Sequence, residues 1–284
     1  MDNRNEISHR WRYSAGEIFA VWQLMFTGGG GIIGQKRSRE KRHSLFFSLE
    51  AHSGRSFFDD YLLLEKGSGQ PVGDSWFTGI ETISGQLVFL HSWQQHSPEH
   101  QGLWVVSADN GSLVWARPEI VFCGMLDDGL LVYLPTVFAG FPERRYLILD
   151  PMTGSERLRL GEDEKAVSEL RASIVPEIRR QGVLLPEIAV PDGNNYEMFR
   201  AAGITVSMHC ESLSIGSITA AAVHDSDMAT GTWRSLLRIW RTEELVYEDL
   251  IAEKTSHPAV NGFLVHGGSL YYIKGESELI ALDL

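Results

Sequence analysis

Short apolar runs separated by glycine- or aspartate-bearing turns recur along the whole chain. Residues 18–26 (IFAVWQLMF), 43–49 (HSLFFSL) and 145–150 (RYLILD) are rich in β-branched and aromatic residues and suit buried strands. Residues 74–82 with 86–93, and 119–126 with 130–134, read as hairpins around Ser84-Gly85 and Asp127-Asp128-Gly129. The clearest unit is residues 102–115, GLWVVSADNGSLVW, where Asn110-Gly111 predicts a two-residue hairpin turn. Weaker copies surround it. Glu50, Ser107 and Asp150 each stand four residues before a glycine, at Gly54, Gly111 and Gly154, and Ser53, Asn110 or Thr153 precedes that glycine. A fourth copy carries Thr242-Glu243-Glu244 in place of the glycine turn, and a fifth stops at Ala281-Leu282-Asp283.

The three glycines are 57 and 43 residues apart. A repeat of that length with several strands per copy predicts an all-β chain folded as a single β-propeller domain over residues 1–284, of WD40-like architecture. About six blades are expected, within a range of five to seven. Residues 162–203 break the pattern. Ala166, Val167, Leu170, Ile174 and Val175 have helical spacing, and Pro176 interrupts them. The segment is either a helical insertion or a degenerate blade. The gap of about 90 residues to the fourth copy spans two periods and favours the degenerate blade. The strand at residues 9–13 lacks a local partner, and the last copy lacks its final strand. Joining them, with Trp11 in the role of Trp115, would complete the last blade.

VVSADNGSLVW and LILDPMTG resemble the repeats of PQQ-like (quinoprotein-type) propellers, in which Asp-x-x-Thr-Gly leads to a strand bearing a tryptophan. The wider run around them also resembles a small family of bacterial proteins of similar length, a likeness that implies fold only. The PQQ-dependent dehydrogenases of that superfamily resemble longer, eight-bladed, exported proteins with adjacent cysteines at the cofactor. Here Cys123 and Cys210 are far apart, so no PQQ and no other cofactor is expected.

The formal net charge of −12 disfavours nucleic-acid binding. Two distant cysteines and a polar amino terminus point to the cytoplasm. The uncharged stretch 18–34 is too short and glycine-rich to span a bilayer, so no membrane insertion is expected.

Several constellations could carry chemistry. Gly29, Gly31 and Gly34 spell a dinucleotide fingerprint, but no apolar residue follows Ile33 to pack a helix, and a glycine-rich loop is expected. Lys36, Arg37, Arg39, Lys41 and Arg42 form a basic run, expected as a solvated loop tip or as a docking site for an anionic partner. His91, His96, Glu99 and His100 are candidate metal ligands. Cys210, Glu211 and His224 could form a nucleophilic set, although buried structural roles are the expectation. Asp59-Asp60 and Asp127-Asp128, adjacent in strands, would point to opposite faces. The functional expectation is a non-enzymatic scaffold that binds a protein partner, marked by an exposed aromatic patch. The alternative is a small-ligand or metal-binding enzyme at the central channel mouth.

Overall fold

The computed structural model describes residues 7–94, 99–190, 193, 195–204 and 210–284. Strand β1 (His9–Ser14) belongs to the last sheet of the chain; the strands that follow form meanders. The first contains β2 (Ala20–Phe26), β3 (Gly31–Ser38), β4 (His43–Glu50) and β5 (Ser56–Tyr61). The second contains β6 (Thr78–Ser84), β7 (Leu87–Trp93), β8 (His100–Ser107) and β9 (Leu113–Arg117). The third contains β10 (Val121–Leu126), β11 (Gly129–Phe138), β12 (Phe141–Leu149) and β13 (Glu156–Gly161). Each is antiparallel and pairs its strands in chain order.

These three sheets make up the compact unit of residues 22–181. The inner strands of the second sheet are apolar on both faces because that sheet is covered twice. Val88, Leu90, Trp104 and Val106 pack with Ile33 and Phe46 of the first sheet. The alternate residues Leu87, Phe89, Leu103 and Val105 pack with Leu130, Val132 and Leu147 of the third. Burying each such side chain contributes on the order of 1.5–3 kcal/mol.

The repeated turn joins the third and fourth strands of these sheets. The amides of Gly54, Gly111 and Gly154 donate to the carbonyls of Glu50, Ser107 and Asp150, each at 2.8 Å, and each glycine has φ near +70°. The Asn110-Gly111 connection is therefore a five-residue turn rather than the expected two-residue one. Asn110 does not take a positive φ; its side chain accepts from the Ser112 amide at 2.9 Å and closes a side-chain turn instead. The strand after each of the first two turns packs on the next turn along. The Trp115 ring lies against Gly154 and its Nε1 donates to the Pro151 carbonyl at 2.9 Å; Tyr61 and Phe58 lie against Gly111 in the same way.

The described residues of 162–203 carry three short helices and one two-residue strand, so the degenerate blade favoured by the spacing is not there among them. Helix α1 (Glu164–Ser173) is capped by Asp163, whose carboxylate accepts from the Ala166 amide. It buries Val167 and leads to Ile174, whose side chain fills the space over Gly124 of β10. Helix α2 (Glu177–Gln181) bonds to first strands: Gln181 accepts from the Phe26 amide at 2.9 Å, and Thr82 donates to Glu177 at 2.7 Å. Strand β14 (Glu187–Ile188) is two residues long, and α3 (Tyr196–Ala201) follows. Without a blade in this segment, the sheets among the described residues number five, at the low end of the expected range.

Residues 1–21 and 182–284 make the second unit. One sheet runs β14, β15 (Cys210–Ile215), β16 (Ile218–Asp227), β17 (Thr232–Arg241), β18 (Glu244–Thr255). Asp227-Met228-Ala229-Thr230-Gly231 joins β16 to β17, and the Gly231 amide donates to the Asp227 carbonyl at 2.8 Å. This further copy of the repeat turn is absent from the sequence reading. The other sheet pairs β19 (Phe263–His266), β20 (Ser269–Lys274) and β21 (Glu278–Asp283) with β1. Trp11 stands opposite Ala281 and is buried, so residues 9–13 complete the last sheet as the sequence predicts.

Candidate functional site

The second sheet departs from regular pairing at two places, and the side chains of interest converge there. In β6, Ile80 pairs with Leu90 and Thr82 with Phe89, which leaves Glu81 as an extra, bulged residue. In β8, Trp104 pairs with Leu90 and Gln101 with Ser92, so Gly102 and Leu103 together oppose His91. A bulge re-aims the side chains beside it. Gly102 takes φ +80°, and the Trp104 ring occupies the place where a Cβ would stand. Across the pair, Gly79 faces His91, whose Nε2 comes within 2.7 Å of the position a Cβ would occupy. Only a residue without a side chain lets the imidazole lie there.

Glu81, His91 and His100 thereby meet on three adjacent strands. Oε2 of Glu81 lies 2.6 Å from Nδ1 of His100 and 2.8 Å from Nδ1 of His91. The two imidazoles stack nearly parallel, centroids 3.6 Å apart at 12°, and Trp93 stands edge-on to both. Burial pushes the Glu81 carboxyl up, but the imidazoles of His100 and His91 against it overcome this and hold it at about 2. Burial lowers His91, outweighing the opposite pull of Glu81.

Seven buried side-chain nitrogen and oxygen atoms lack a hydrogen-bond partner among the described residues, and five belong to Gln35, Arg37, Thr78 and His91. Two of these residues, Gln35 and Arg37, donate through their other nitrogens to the Thr78 backbone oxygen, at 2.6 and 2.9 Å. Both ring nitrogens of His91 are among the five, since Nδ1 approaches Glu81 without hydrogen-bond alignment. Each such atom costs roughly 1–3 kcal/mol unless something else satisfies it. Their concentration at one spot marks a place built to receive a water, an ion or a ligand.

The structure sorts the sequence candidates. His91 and His100 come together. Glu99 does not join them; it accepts from Tyr133 at 2.8 Å and from Arg144 at 2.6 Å. His96 lies outside the described residues. Glu81 is absent from the sequence candidates. Its only signal is a lone charge inside the strand TGIETIS, which reads as an ordinary solvent-facing alternation until the bulge turns it inward.

The basic run is no single solvated loop. Lys36 and Arg37 belong to β3, and Lys36 is 2% exposed, paired with Asp59 and Asp60 at 2.7 and 2.9 Å. Arg37 is half-buried, its guanidinium 5.0 Å from the Trp22 ring and 5.4 Å from that of Trp76. Arg39, Lys41 and Arg42 stay exposed at the β3–β4 turn. Its place in β3, opposite Leu45, carries the long Lys36 stem inward, and the aspartates neutralise its charge. Gly34 lies inside the same strand with the Phe47 ring over it, so the glycine triplet opens no helix.

In the second unit, His224 Nδ1 lies 2.8 Å from Ser235 Oγ and its Nε2 3.4 Å from Glu211, which accepts from the Asn261 amide. All three side chains are buried, Ser235 completely. Cys210 is enclosed, and burial with the nearby Glu211 pushes its thiol up to about 11, the wrong direction for a nucleophile. The set ties β15, β16 and β17 to the loop between β18 and β19.

A second exposed feature is the β11–β12 hairpin. The register continues from Leu130–Leu149 to Phe138–Phe141, while β10 and β13 end alongside Tyr133 and Tyr146. Residues 134–145 thus extend beyond the flanking strands, a reach of roughly 20 Å at the usual rise. At the tip, Ala139 and Gly140 both take positive φ, the two-residue turn that suits a hairpin. Val137, Phe138 and Phe141 are 73%, 66% and 71% exposed. A cleft of about 550 Å³ beside the hairpin is lined by Glu99, Glu143, Glu162 and Glu164, with Tyr133 and Arg144.

Residues 30–115 match the model of a domain of unknown function (DUF4905). No curated protein matches the chain. Among solved structures, the chain is similar to the Pyrococcus horikoshii acylaminoacyl peptidase, at 10% identity and a TM-score of 0.32, over 91% of this chain and 36% of that one. It thus spans little more than a third of that peptidase. The β-propeller domain of the Trilobed protease from Pyrococcus furiosus matches at 10% identity and a TM-score of 0.32, over 94% and 71%. The Myceliophteria thermophila Cps50 (Swd1) β-propeller domain matches at 8% and 0.34, over 98% and 99%. At these values the likeness carries no argument about what this chain does. Among the described residues, no helix is long and apolar enough to cross a membrane.

Proposed function

We propose that the five meanders are blades of a single β-propeller domain, of the PQQ-like repeat type, that works without catalysis by holding a protein partner. Support for the fold comes from antiparallel sheets that pair in chain order, from face-to-face packing in succession of the three within residues 22–181, and from the Asp/Glu/Ser-x-x-x-Gly turn that four of the sheets share. The observation that carries the function is the β11–β12 tip. Three large apolar side chains held in water by a regular hairpin bury nothing in the fold, and such a patch marks an interaction site. The glutamates beside it suit a partner that presents an apolar pocket rimmed by lysine or arginine. The setting is a reducing compartment, consistent with two free cysteines, and neither nucleic acid nor a bilayer is the partner.

Photo-crosslinking tests this. With a photoactivatable aromatic at Phe138, cells of the native host should yield one discrete protein adduct. Combining Val137→Ser and Phe141→Ser should reduce it at least about tenfold, with melting temperature unchanged. Absence of a discrete adduct, or flotation with anionic vesicles that depends on the same residues, would refute a protein partner.

A further inference from the structure

We propose that Glu81, His91 and His100 form a binding site for a divalent transition-metal ion of zinc's class. Donor atoms of the three lie within 4.8 Å of one another. Two imidazoles and a carboxylate suit zinc and its first-row neighbours, whereas calcium and magnesium call for oxygen donors. Three protein ligands would leave a further coordination position for water or a small ligand.

Two features separate this cluster from a chance meeting of polar side chains. Two bulges and two glycines shape the backbone so that the donors converge, at the expense of regular pairing. His91 is 4% exposed, its Nδ1 lies 2.8 Å from Glu81, and its Nε2 has no hydrogen-bond partner among the described residues, so the fold buries a ligand-capable ring with one nitrogen unsatisfied. Uptake carries a geometric consequence. At metal–ligand distances of about 2.0–2.2 Å, the donors must move apart by several tenths of an ångström from their present 2.6–2.8 Å. The imidazoles must also fan open from their parallel stack so that both lone pairs meet at one point. Trp93, edge-on to both rings, would register that movement.

The full chain, stripped with chelator and titrated with zinc chloride by calorimetry, should take up one equivalent with micromolar affinity or tighter. Cobalt chloride should bring visible absorption bands of a low-coordinate ion, and Trp93 emission should change over the same titration. His100→Gln, at a partly exposed position, and Glu81→Gln should each weaken uptake at least about a hundredfold, while His257→Gln, on the exposed surface of the other unit, leaves it unchanged. Circular dichroism checks that each variant is folded; should Glu81→Gln unfold, His100→Gln decides alone. No stoichiometric zinc uptake by the wild type, or equal uptake by a folded His100→Gln variant, would overturn the site. Neither result bears on the hairpin tip, which shares none of these residues.

Discussion

In both the β6–β9 and the β10–β13 sheets the first strand bulges three residues before its hairpin. The extra residue is Glu81 in one and Cys123 in the other. Two residues before the extra one, Gly79 faces His91 in the first case and Val121 faces Tyr133 in the second. The same backbone device thus holds a carboxylate beside imidazoles in one sheet and a thiol near a phenol in the other. What differs is the neighbouring pair. β11 and β12 pair without a break, whereas β7 and β8 carry the second bulge at Gly102. With one bulge, Tyr133 reaches out to Glu99 and sits under the Arg144 guanidinium. With two, His100 is brought onto the ring of His91. A single irregularity tunes one side chain; two in register assemble a site.

Substitutions can break that difference in graded steps. Gly102→Val should cost most, roughly 3 kcal/mol or more, because it combines a positive φ with loss of the space used by Trp104. Urea unfolding measures it, and a cost below about 1 kcal/mol would mean the second bulge is dispensable. Gly79→Val, which copies Val121 into the second sheet, should cost about 2 kcal/mol and displace His91, with its imidazole resonances shifting in NMR spectra. If those resonances stay in place, the glycine is not what admits the ring.

In the third sheet, Tyr133→Phe should cost about 1 kcal/mol and also remove a late step in the alkaline titration. Burial and the hydrogen bond to Glu99 push the Tyr133 phenol up to about 12. An acid whose folded pKa is raised favours folding while protonated, so this contribution is complete below pH about 10 and fades as pH approaches 12. Phenolate absorbance of wild type minus variant should rise in that window; a difference centred near 10 would show the phenol to be unperturbed. The smallest effect concerns Cys123, whose thiol burial pushes up despite the nearby Arg171. At neutral pH it should react with iodoacetamide more slowly than a free thiol, as peptide mass spectrometry can follow.

The sequence revealed architecture better than chemistry, for a physical reason. Strand positions and the Gly111 and Gly154 turns are local: apolar runs and left-handed glycines act over a few residues. The pairing of residues 9–13 with the last strand followed from counting open edges. The site depends instead on register. Whether Glu81 points inward is decided by one unpaired residue, and alternation carries no mark of it. The same limit produced the errors at Lys36 and Arg37, where charge spoke for a solvated loop. Partners distant in sequence, Asp59 and Asp60 for one and the indoles of Trp22 and Trp76 for the other, make a strand possible.

The pairing of β1 with β21 also sets a clock. Trp11 waits for Ala281, and at about 5–20 residues per second synthesis of the intervening chain takes roughly 15–50 s. Through that time β1 has an open edge and no native partner, while the three sheets of residues 22–181 can already close on contacts local to themselves. The sheet that joins early to late sequence is therefore the last to form, and nascent-chain exposure should concentrate on the amino-terminal strand.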